Sequence, residues 1–170
     1  LFLILLTTMM LPYPVTMIPI YVGFNRLGWI NSFLPLIVPS FFGAPFHIFL
    51  LRQFFLTLPP ELEDAARVDG ANTLQTIWHV ILPISKPALA VVAVFTFQAT
   101  WNDFFSPLIY LHDQSNYTIS LGLSFFRSSY DVRWAYLMAA SLVTMLPVVI
   151  VFFLAQRQFI RGITVTGLKG

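Results

Sequence analysis

Residues 59–72, with the sequence PPELEDAARVDGAN, form a short polar interval in an otherwise apolar chain. Four of the chain's seven acidic residues lie within this interval, and the sequence VILP follows at residues 80–83. Only 9% of all residues are charged. A chain that concentrates its few charges in one internal segment is offering that segment to a soluble partner, and this interpretation organises the rest of the analysis.

The remainder of the chain has the composition of a membrane protein. It is 58% hydrophobic, with a mean hydropathy of +0.80, whereas about a quarter of the residues in a soluble domain are charged. The twelve prolines fit this class, because neighbouring membrane helices satisfy the backbone groups that proline frees. We therefore predict an all-α fold, a polytopic membrane helical bundle, and not a globular enzyme.

Several classes of function are disfavoured by what the sequence lacks. The net charge is +2 without a basic patch, so nucleic acid is not an expected partner. The chain has no cysteine, which excludes disulfides and thiolate metal ligands. We find no metal-ligand or nucleophile pattern and expect neither a metal site nor catalytic residues. The chain opens at Leu1 inside an apolar run, and we interpret it as a fragment that begins within a membrane helix.

A membrane-spanning helix needs roughly 20 mostly apolar residues. Four segments meet this requirement: about Leu1–Val22, Ser32–Leu56, Pro87–Leu111 and Trp134–Gln156. The first is expected to be broken by Pro12, Pro14 and Pro19. The connections are then residues 23–31, 57–86 and 112–133, followed by a tail at 157–170.

The distribution of lysine and arginine predicts the orientation, because cytoplasmic connections carry the excess. Six of the nine basic residues fall on the side of the second connection and the tail: Arg52, Arg67, Lys86, Arg157, Arg161 and Lys169. The other side holds Arg26, Arg127 and Arg133. The acidic interval is therefore predicted to be cytoplasmic.

Within that interval the pattern predicts a short helix. Pro60 suits a first turn, and the acidic residues at positions 61, 63 and 64 complement the positive end of the helix dipole. Leu62, Ala65 and Ala66 share one face, where small side chains let another backbone approach. Asp69-Gly70 predicts the end of the helix, and a second short helix is expected at about 73–81. A solvated amphipathic helix between two spans is the alternative.

The spacing of these residues resembles the EAA loop of ABC-transporter permeases. That motif reads Glu-Ala-Ala, three residues, Gly, nine residues, Ile, one residue and Leu-Pro. The matching positions here are Asp64-Ala65-Ala66, Gly70, Val80 and Leu82-Pro83, with every spacing kept. Asp64 stands where the motif has Glu, and Val80 stands where it has Ile.

Other segments resemble the carbohydrate-uptake branch of these permeases, the maltose-permease type. They are Pro59-Pro60-Glu61-Leu62, Asp69-Gly70-Ala71, Trp101-Asn102-Asp103-Phe104 and Gly167-Leu168-Lys169-Gly170. The resemblance covers essentially the whole chain and implies a type I importer permease. It implies one transmembrane domain over residues 1–170 in the cell membrane, with four of about six helices present and a cytoplasmic coupling loop at about 57–86.

The resemblance also implies partners. In such permeases the loop helix docks on an ABC ATPase subunit, whose closure switches the membrane helices, while a second permease subunit and an extracytoplasmic sugar-binding protein complete the system. This chain has no G-x-x-x-x-G-K-[ST] segment, so ATP and Mg²⁺ belong to the partner ATPase. The residues implied for ATPase coupling are Glu61, Glu63, Asp64, Ala65, Ala66, Arg67, Asp69 and Gly70. The tail at 158–170 resembles family tails that reach the ATPases, with a frayed terminus as the alternative.

A substrate pathway would combine an aromatic surface with hydrogen-bonding groups for hydroxyls. The candidates are Phe97, Gln98, Trp101, Asn102 and Asp103, with Phe104 beside them. Packing is the alternative role for the aromatic residues, and helix capping is the alternative for Asp103. His47 lies at membrane depth, where ionisable residues face the interior of the bundle, and we interpret it as a hydrogen-bonded packing residue.

The predicted function is that of a transmembrane permease subunit of an ATP-driven sugar importer. A permease of the same superfamily for another solute, such as a polyamine, phosphate or amino acid, is the first alternative. A secondary transporter or channel is the second, although we see no clear pairs of charges at mid-membrane. A membrane-embedded enzyme is the third, although the three histidines are scattered.

Overall fold

The computed structural model describes residues 2–127 and 133–166, with side chains described to Gln156 in the last helix. Every regular element in these residues is helical, which confirms the all-α prediction. The α-helices are α1 Phe2–Thr8, α2 Tyr13–Arg26, α3 Leu34–Ile37, α4 Pro45–Phe55, α5 Glu61–Val68, α6 Thr73–Thr76, α7 Leu82–Ile84, α8 Lys86–Trp101, α9 Phe105–Tyr110, α10 Ile119–Gly122 and α11 Trp134–Thr166. The 3-10 helices are Val38–Phe42, Gln114–Asn116 and Leu123–Phe126, and Ile77–Ile81 is a π-helix.

Within the described residues, two helical stretches are long and apolar enough to cross a membrane: Leu34–Phe55 and Trp134–Gln156. Two further stretches qualify only as bent pairs. Phe2–Thr8 with Tyr13–Arg26 bends by 95°, and Thr73–Ile84 with Lys86–Trp101 bends by 74°. The two continuous stretches correspond to the second and fourth predicted spans, and the first bent pair corresponds to the first. The second bent pair shares only residues 87–101 with the third predicted span, because its first half, Thr73–Ile84, lies in the predicted 57–86 loop.

The first predicted span, Leu1–Val22, is broken between α1 and α2, as its prolines predict. Two prolines explain the break between α1 and α2, because the residue before a proline is driven out of the helical region and proline has no N–H to donate. Pro12 takes an extended conformation with φ −62° and ψ 135°, and Pro14 lies in the first turn of α2. Pro19, by contrast, lies inside α2 without ending it.

The third predicted span, Pro87–Leu111, is also interrupted. α8 ends at Trp101, and α9 begins only at Phe105. The polar residues between them explain the break, because Asn and Asp side chains compete for the backbone groups that a helix uses. The Asn102 amide donates to the carbonyl of Gln98 at 2.9 Å, and Asp103 Oδ1 accepts from the backbone N–H of Ser106 at 3.1 Å.

The second and fourth spans follow the prediction more closely. The second changes from a 3-10 helix to α4 at Gly43, whose φ of 76° is disfavoured for other residues. The fourth is continuous, but α11 extends past the predicted boundary at Gln156 as far as Thr166. Most of the predicted tail is therefore helical, and the Gly-Leu-Lys-Gly ending at 167–170 lies outside the described residues.

The chain divides into two compact units. The first comprises residues 1–46 and 97–150 and contains α1–α3, α9 and α10. Its most buried side chains are those of Leu111, Leu121 and Tyr110, each at most 3% exposed. The second comprises residues 47–96 and 151–170 and contains α5–α7. Ala66, Thr76, Ser85 and Ala88 are its buried residues.

Candidate functional site

The acidic interval folds as predicted, beginning with helix α5. Glu61, Glu63 and Asp64 lie in its first turn, and Arg67 lies in its last turn. This arrangement places negative charge at the positive end of the helix dipole and positive charge at the other end. Arg67 and Asp64 approach to 3.9 Å, but both side chains are more than 70% exposed, so this ion pair adds little stability.

The end of α5 is a Schellman motif centred on Gly70. The Gly70 N–H donates to the carbonyl of Arg67 at 3.0 Å, and the Ala71 N–H donates to the carbonyl of Ala66 at 2.9 Å. These two bonds define the motif, whose penultimate residue must take a left-handed conformation. Gly70 has φ 80°. The predicted turn at Asp69-Gly70 is confirmed, and its geometry depends on glycine.

The second helix starts at once from a capping box. Asn72 Oδ1 accepts from the N–H of Gln75 at 2.9 Å, and Gln75 Oε1 accepts from the N–H of Asn72 at 2.8 Å. Such a reciprocal pair satisfies two backbone donors that the helix leaves unpaired. The Schellman motif (residues 66–71) is followed directly by the capping box (residues 72–75), so the turn between α5 and α6 is specified at both of its ends.

Burial divides the residues predicted to couple to an ATPase. Ala66 is only 6% exposed, and Leu62 is half-buried. Their face of α5 therefore packs inside the second unit, and only Ala65 of the three predicted apolar contacts is open. The remaining predicted residues are all exposed: Glu61, Glu63, Asp64, Arg67, Asp69 and Gly70.

Sequence reasoning missed three exposed apolar residues in the same loop. Val68 is 88% exposed, Leu74 64% and Trp78 61%. Val68 lies on the side of α5 away from Leu62, because six residues at 100° each turn the helix by 240°. The sequence did contain a signal, because Val68 is an apolar residue outside the apolar stripe of an otherwise polar helix. This position marks Val68 as a candidate for contact with a partner protein.

The polar residues after α8 are mainly used within the chain. Asp103 accepts the bond from the Ser106 N–H described above, in the first turn of α9, which agrees with the capping interpretation, although the N-cap residue of α9 is Phe104. Trp101 stacks on Phe97 with ring centroids 5.5 Å apart. The Ser120 hydroxyl donates to the Trp101 carbonyl at 2.9 Å. Gln98 is exposed, and its backbone carbonyl accepts the Asn102 amide.

Trp101 also supports the last helix. Its indole N–H donates to the carbonyl of Thr144 at 2.9 Å, across 43 residues of chain. Thr144 lies three residues before Pro147, the proline inside α11, and next to Val143, whose carbonyl Pro147 leaves without a helical donor. Proline removes one backbone donor from a helix, and in membrane helices neighbouring side chains supply bonds to the backbone near such sites. The bond ties α8 to α11 within the first unit.

We expect Trp101→Phe to lower the free energy of unfolding by roughly 1 kcal/mol, because it keeps the ring but loses the indole donor. Unfolding in mixed micelles, followed by fluorescence of the other tryptophans, measures this loss. Trp134→Phe is the matched control, since Trp134 is 61% exposed at the start of α11. Equal stability of the two variants would show that the bond contributes nothing.

The first unit contains a partly open cavity of about 630 Å³, which we call the outer cavity. Its walls are mainly apolar, built from aliphatic, proline and aromatic side chains, with several hydroxyl groups and one carboxylate, that of Asp103. The residues that argue for a polar ligand are Tyr13, Tyr110, Thr100, Ser106 and Asp103. No lysine or arginine belongs to this lining.

The predicted pathway residues do not meet in one place. Asp103 lines the outer cavity, whereas Trp101 and Asn102 line a separate cavity of about 180 Å³. The smaller cavity also contacts Ser120, Ser141 and Thr144. Residues adjacent in sequence thus face two different spaces, because the chain turns between α8 and α9. His47 is half-buried in α4 and lines neither cavity.

Across residues 2–127 and 133–156, no group of three or more His, Asp or Glu side chains lies close enough together to hold a metal ion. The arrangement of the loop suits contact with another protein, and that of the outer cavity suits a polar organic solute.

Comparison with known proteins shows the family to which the chain belongs. The family described as binding-protein-dependent transport system inner membrane component matches residues 1–165. The chain is 36% identical over 169 residues to the arabinooligosaccharides transport system permease protein AraQ of Halalkalibacterium halodurans, covering 99% of this chain and 60% of that protein. It is 40% identical over 158 residues to the sn-glycerol-3-phosphate transport system permease protein UgpE of Pectobacterium atrosepticum, covering 92% and 56%.

A similar structure is also known. A chain in the crystal structure of a bacterial ABC transporter involved in the import of the acidic polysaccharide alginate aligns with a TM-score of 0.77 and 26% identity. The match covers 92% of this chain and 60% of that chain. The likeness therefore extends over nearly all of the present sequence.

The chain is a membrane protein and belongs to the family of inner membrane components of binding-protein-dependent transport systems. Its relatives are ABC-transporter permeases, including sugar permeases, and are not enzymes. The chain spans 60% and 56% of the length of the two relatives compared above.

Proposed function

We propose that this chain is a transmembrane permease subunit of an ATP-driven sugar importer, that residues 1–170 belong to one permease domain, and that the cytoplasmic loop at 57–86 couples an ATPase to the membrane helices. The observation that carries the proposal is the consecutive Schellman motif and capping box between α5 and α6. Two defined caps give a stiff turn, and a stiff turn is what transmits force from a partner to a helix.

The exposed side of α5 supports a protein partner. Its three first-turn carboxylates and Arg67 are open, and Val68 adds an apolar contact at 88% exposure. Charged groups around a small apolar centre are typical of a protein interface. The partner is an ABC ATPase subunit that supplies ATP and Mg²⁺, and a second permease subunit and an extracytoplasmic sugar-binding protein complete the importer.

The outer cavity supports a neutral polyhydroxylated substrate. Aromatic rings suit the apolar faces of a sugar, and hydroxyl and carboxylate oxygens suit its hydroxyl groups. Asp103 without a basic residue in the lining repels an anion, so a neutral saccharide fits better than a phosphate ester or a uronate. Phe97, Gln98, Trp101 and Asn102 remain predicted pathway residues, but Trp101 and Asn102 line the smaller cavity, and Phe97 and Gln98 line neither.

ATP hydrolysis by the complete importer in lipid vesicles tests this proposal. The vesicles would contain the full-length chain, its partner permease, the ATPase and the binding protein. Neutral oligosaccharides, sn-glycerol 3-phosphate, alginate oligosaccharides and an amino acid would be titrated in turn. We expect several-fold stimulation by a neutral oligosaccharide and little by the anions, because the cavity wall carries a carboxylate.

Two results would contradict different parts of the proposal. Stimulation only by an anionic solute or an amino acid would keep the permease role and overturn the neutral-saccharide assignment. Failure of the chain to associate with any ATPase would overturn the coupling role and favour a secondary transporter.

A further inference from the structure

The connection between α2 and α3 contains a residue in an unusual conformation. Asn31 has φ 63°, and it is the one non-glycine residue with positive φ among those the structure describes. Asparagine tolerates this left-handed region better than most residues, but a cost remains that other contacts must offset. The contacts of Asn31 therefore show what this conformation achieves.

Asn31 bonds to a segment of chain about eighty residues away. Its Oδ1 accepts from the backbone N–H groups of His112 and Asp113, both at 3.0 Å. Its Nδ2 donates to Asp113 Oδ2 at 2.6 Å. Its backbone N–H donates to the Tyr110 carbonyl at 2.8 Å, and its carbonyl accepts from Asn116 Nδ2 at 3.4 Å. We call these five residues the Asn31 clasp.

The chemistry of the clasp determines the orientation of the amide. Two backbone donors point at one side-chain atom, and a carboxylate oxygen points at the other. Turning the amide over would set its NH₂ group against two N–H donors and its oxygen against a carboxylate. The bond to Asp113 is charge-assisted, and such bonds are stronger than neutral ones. A single side chain therefore joins two connections that are distant in sequence.

The clasp is continuous with the wall of the outer cavity. Tyr110 is only 3% exposed. Its ring stacks on Tyr21 at 6.2 Å and meets Phe24 edge-on at 5.5 Å. Phe24 in turn stacks on Trp29 at 5.6 Å, two residues before Asn31. Tyr110 and Phe24 both line the cavity. These two rings form the aromatic wall of the outer cavity. The bond from the Asn31 N–H to the Tyr110 carbonyl therefore helps to fix the position of this wall.

We propose that Asn31 is a positioning residue for transport, which holds the aromatic wall of the outer cavity through its bonds to residues 110–116. The inference rests on the proposed function, since it assumes that substrate passes along this wall. Asn31 acts through Tyr110 and does not itself line the cavity.

Exchanging the amide and the carboxylate between Asn31 and Asp113 tests the clasp. Asn31→Asp keeps the acceptor for the two backbone N–H groups but sets a second carboxylate against Asp113. Asp113→Asn in the same chain restores an amide–carboxylate pair with donor and acceptor reversed. Asn25→Asp is the matched control, because Asn25 is exposed in α2 and lines neither cavity.

Hydrogen exchange by mass spectrometry on the full transporter gives a readout that does not depend on transport. For Asn31→Asp we expect exchange over residues 110–118 to rise on the order of tenfold, because the opposed carboxylates break the clasp. Exchange over residues 59–72 should not change. The double variant should return residues 110–118 to the wild-type rate, and Asn25→Asp should leave them unaffected.

Uptake kinetics measured on the same variants test the positioning role. We expect Asn31→Asp to raise the half-saturating substrate concentration on the order of tenfold, and the double variant to restore it. Unchanged uptake kinetics alongside faster exchange would reduce the clasp to a structural role and overturn the proposal. Failure of the double variant to restore both readouts would overturn the pairing. If the wild type transports no solute at all, the proposed function and the positioning role fall together, whereas the exchange data still decide whether the clasp exists.

Discussion

Gly70→Pro is expected to abolish transport while the protein still inserts into the membrane. Gly70 has φ 80°, whereas the proline ring holds φ near −65°. Proline also removes the N–H that donates to the Arg67 carbonyl. The Schellman motif cannot form without both features, so α5 loses its defined end and the loop loses the geometry proposed for coupling. We expect uptake to fall at least about tenfold, since a misplaced proline costs about 3 kcal/mol.

Two alanine variants, Gly70→Ala and Gly122→Ala, show how much of the loss of uptake comes from the backbone conformation of Gly70. Gly70→Ala keeps the N–H and adds a methyl group that meets no atom within 4 Å, so it tests the conformation alone. The cost of a left-handed alanine is roughly 1–2 kcal/mol, and we expect an intermediate loss. Gly122→Ala also meets nothing within 4 Å but has an ordinary backbone conformation, and it should transport normally. Wild-type uptake by Gly70→Pro, with surface expression verified, would refute the role of this turn.

Arginine substitutions at the adjacent residues Ala65 and Ala66 should distinguish folding of the loop from docking of the ATPase. Ala66 is 6% exposed, so Ala66→Arg forces a guanidinium into the buried side of α5. Burying an unpaired charge or overpacking a core costs several kcal/mol, and we expect the loop itself to unfold. Ala65 is exposed, so Ala65→Arg should leave the loop folded and interfere only with a docked partner. Both variants should lose most uptake.

Limited proteolysis of the loop tells the two mechanisms apart. Ala66→Arg should be cleaved within residues 57–86 faster than the wild type, and Ala65→Arg at the wild-type rate. Binding of the purified ATPase should be weakened in both. If Ala65→Arg bound the ATPase and transported normally, the exposed side of α5 would not be the docking surface, although the buried role of Ala66 would stand.

Local chemistry explains why the acidic interval could be predicted. The residues that start, end and restart its helices are within fifteen positions of one another, and caps depend on neighbours only. Gly70 therefore ends α5 where the pattern places it. Pro60 lies one position earlier than predicted, as the N-cap of α5, and the capping role of Asn72 was not predicted. The burial of Ala66 was not predictable in the same way, because helix spacing identifies a shared face but not what covers it.

It was harder to predict which prolines break a membrane helix, because hydrophobicity reports the length of an apolar segment and not its continuity. Pro12, Pro14 and Pro19 look alike in sequence, yet α2 contains Pro19 and begins after Pro12. Packing decides which proline a helix tolerates. The division of Trp101 and Asp103 between two cavities has the same origin, since one turn of chain redirects neighbouring side chains.

Composition and short-range spacing thus determined the class of this protein, its apolar segments and the architecture of the 57–86 loop. Tertiary structure alone decided the contacts between distant residues. Asn31 and Asp113 are 82 positions apart, and Trp101 and Thr144 are 43 apart. No local pattern marks these partners, because hydrogen bonds of this kind depend on where folding brings two backbones, and many residues of the same type remain at the surface.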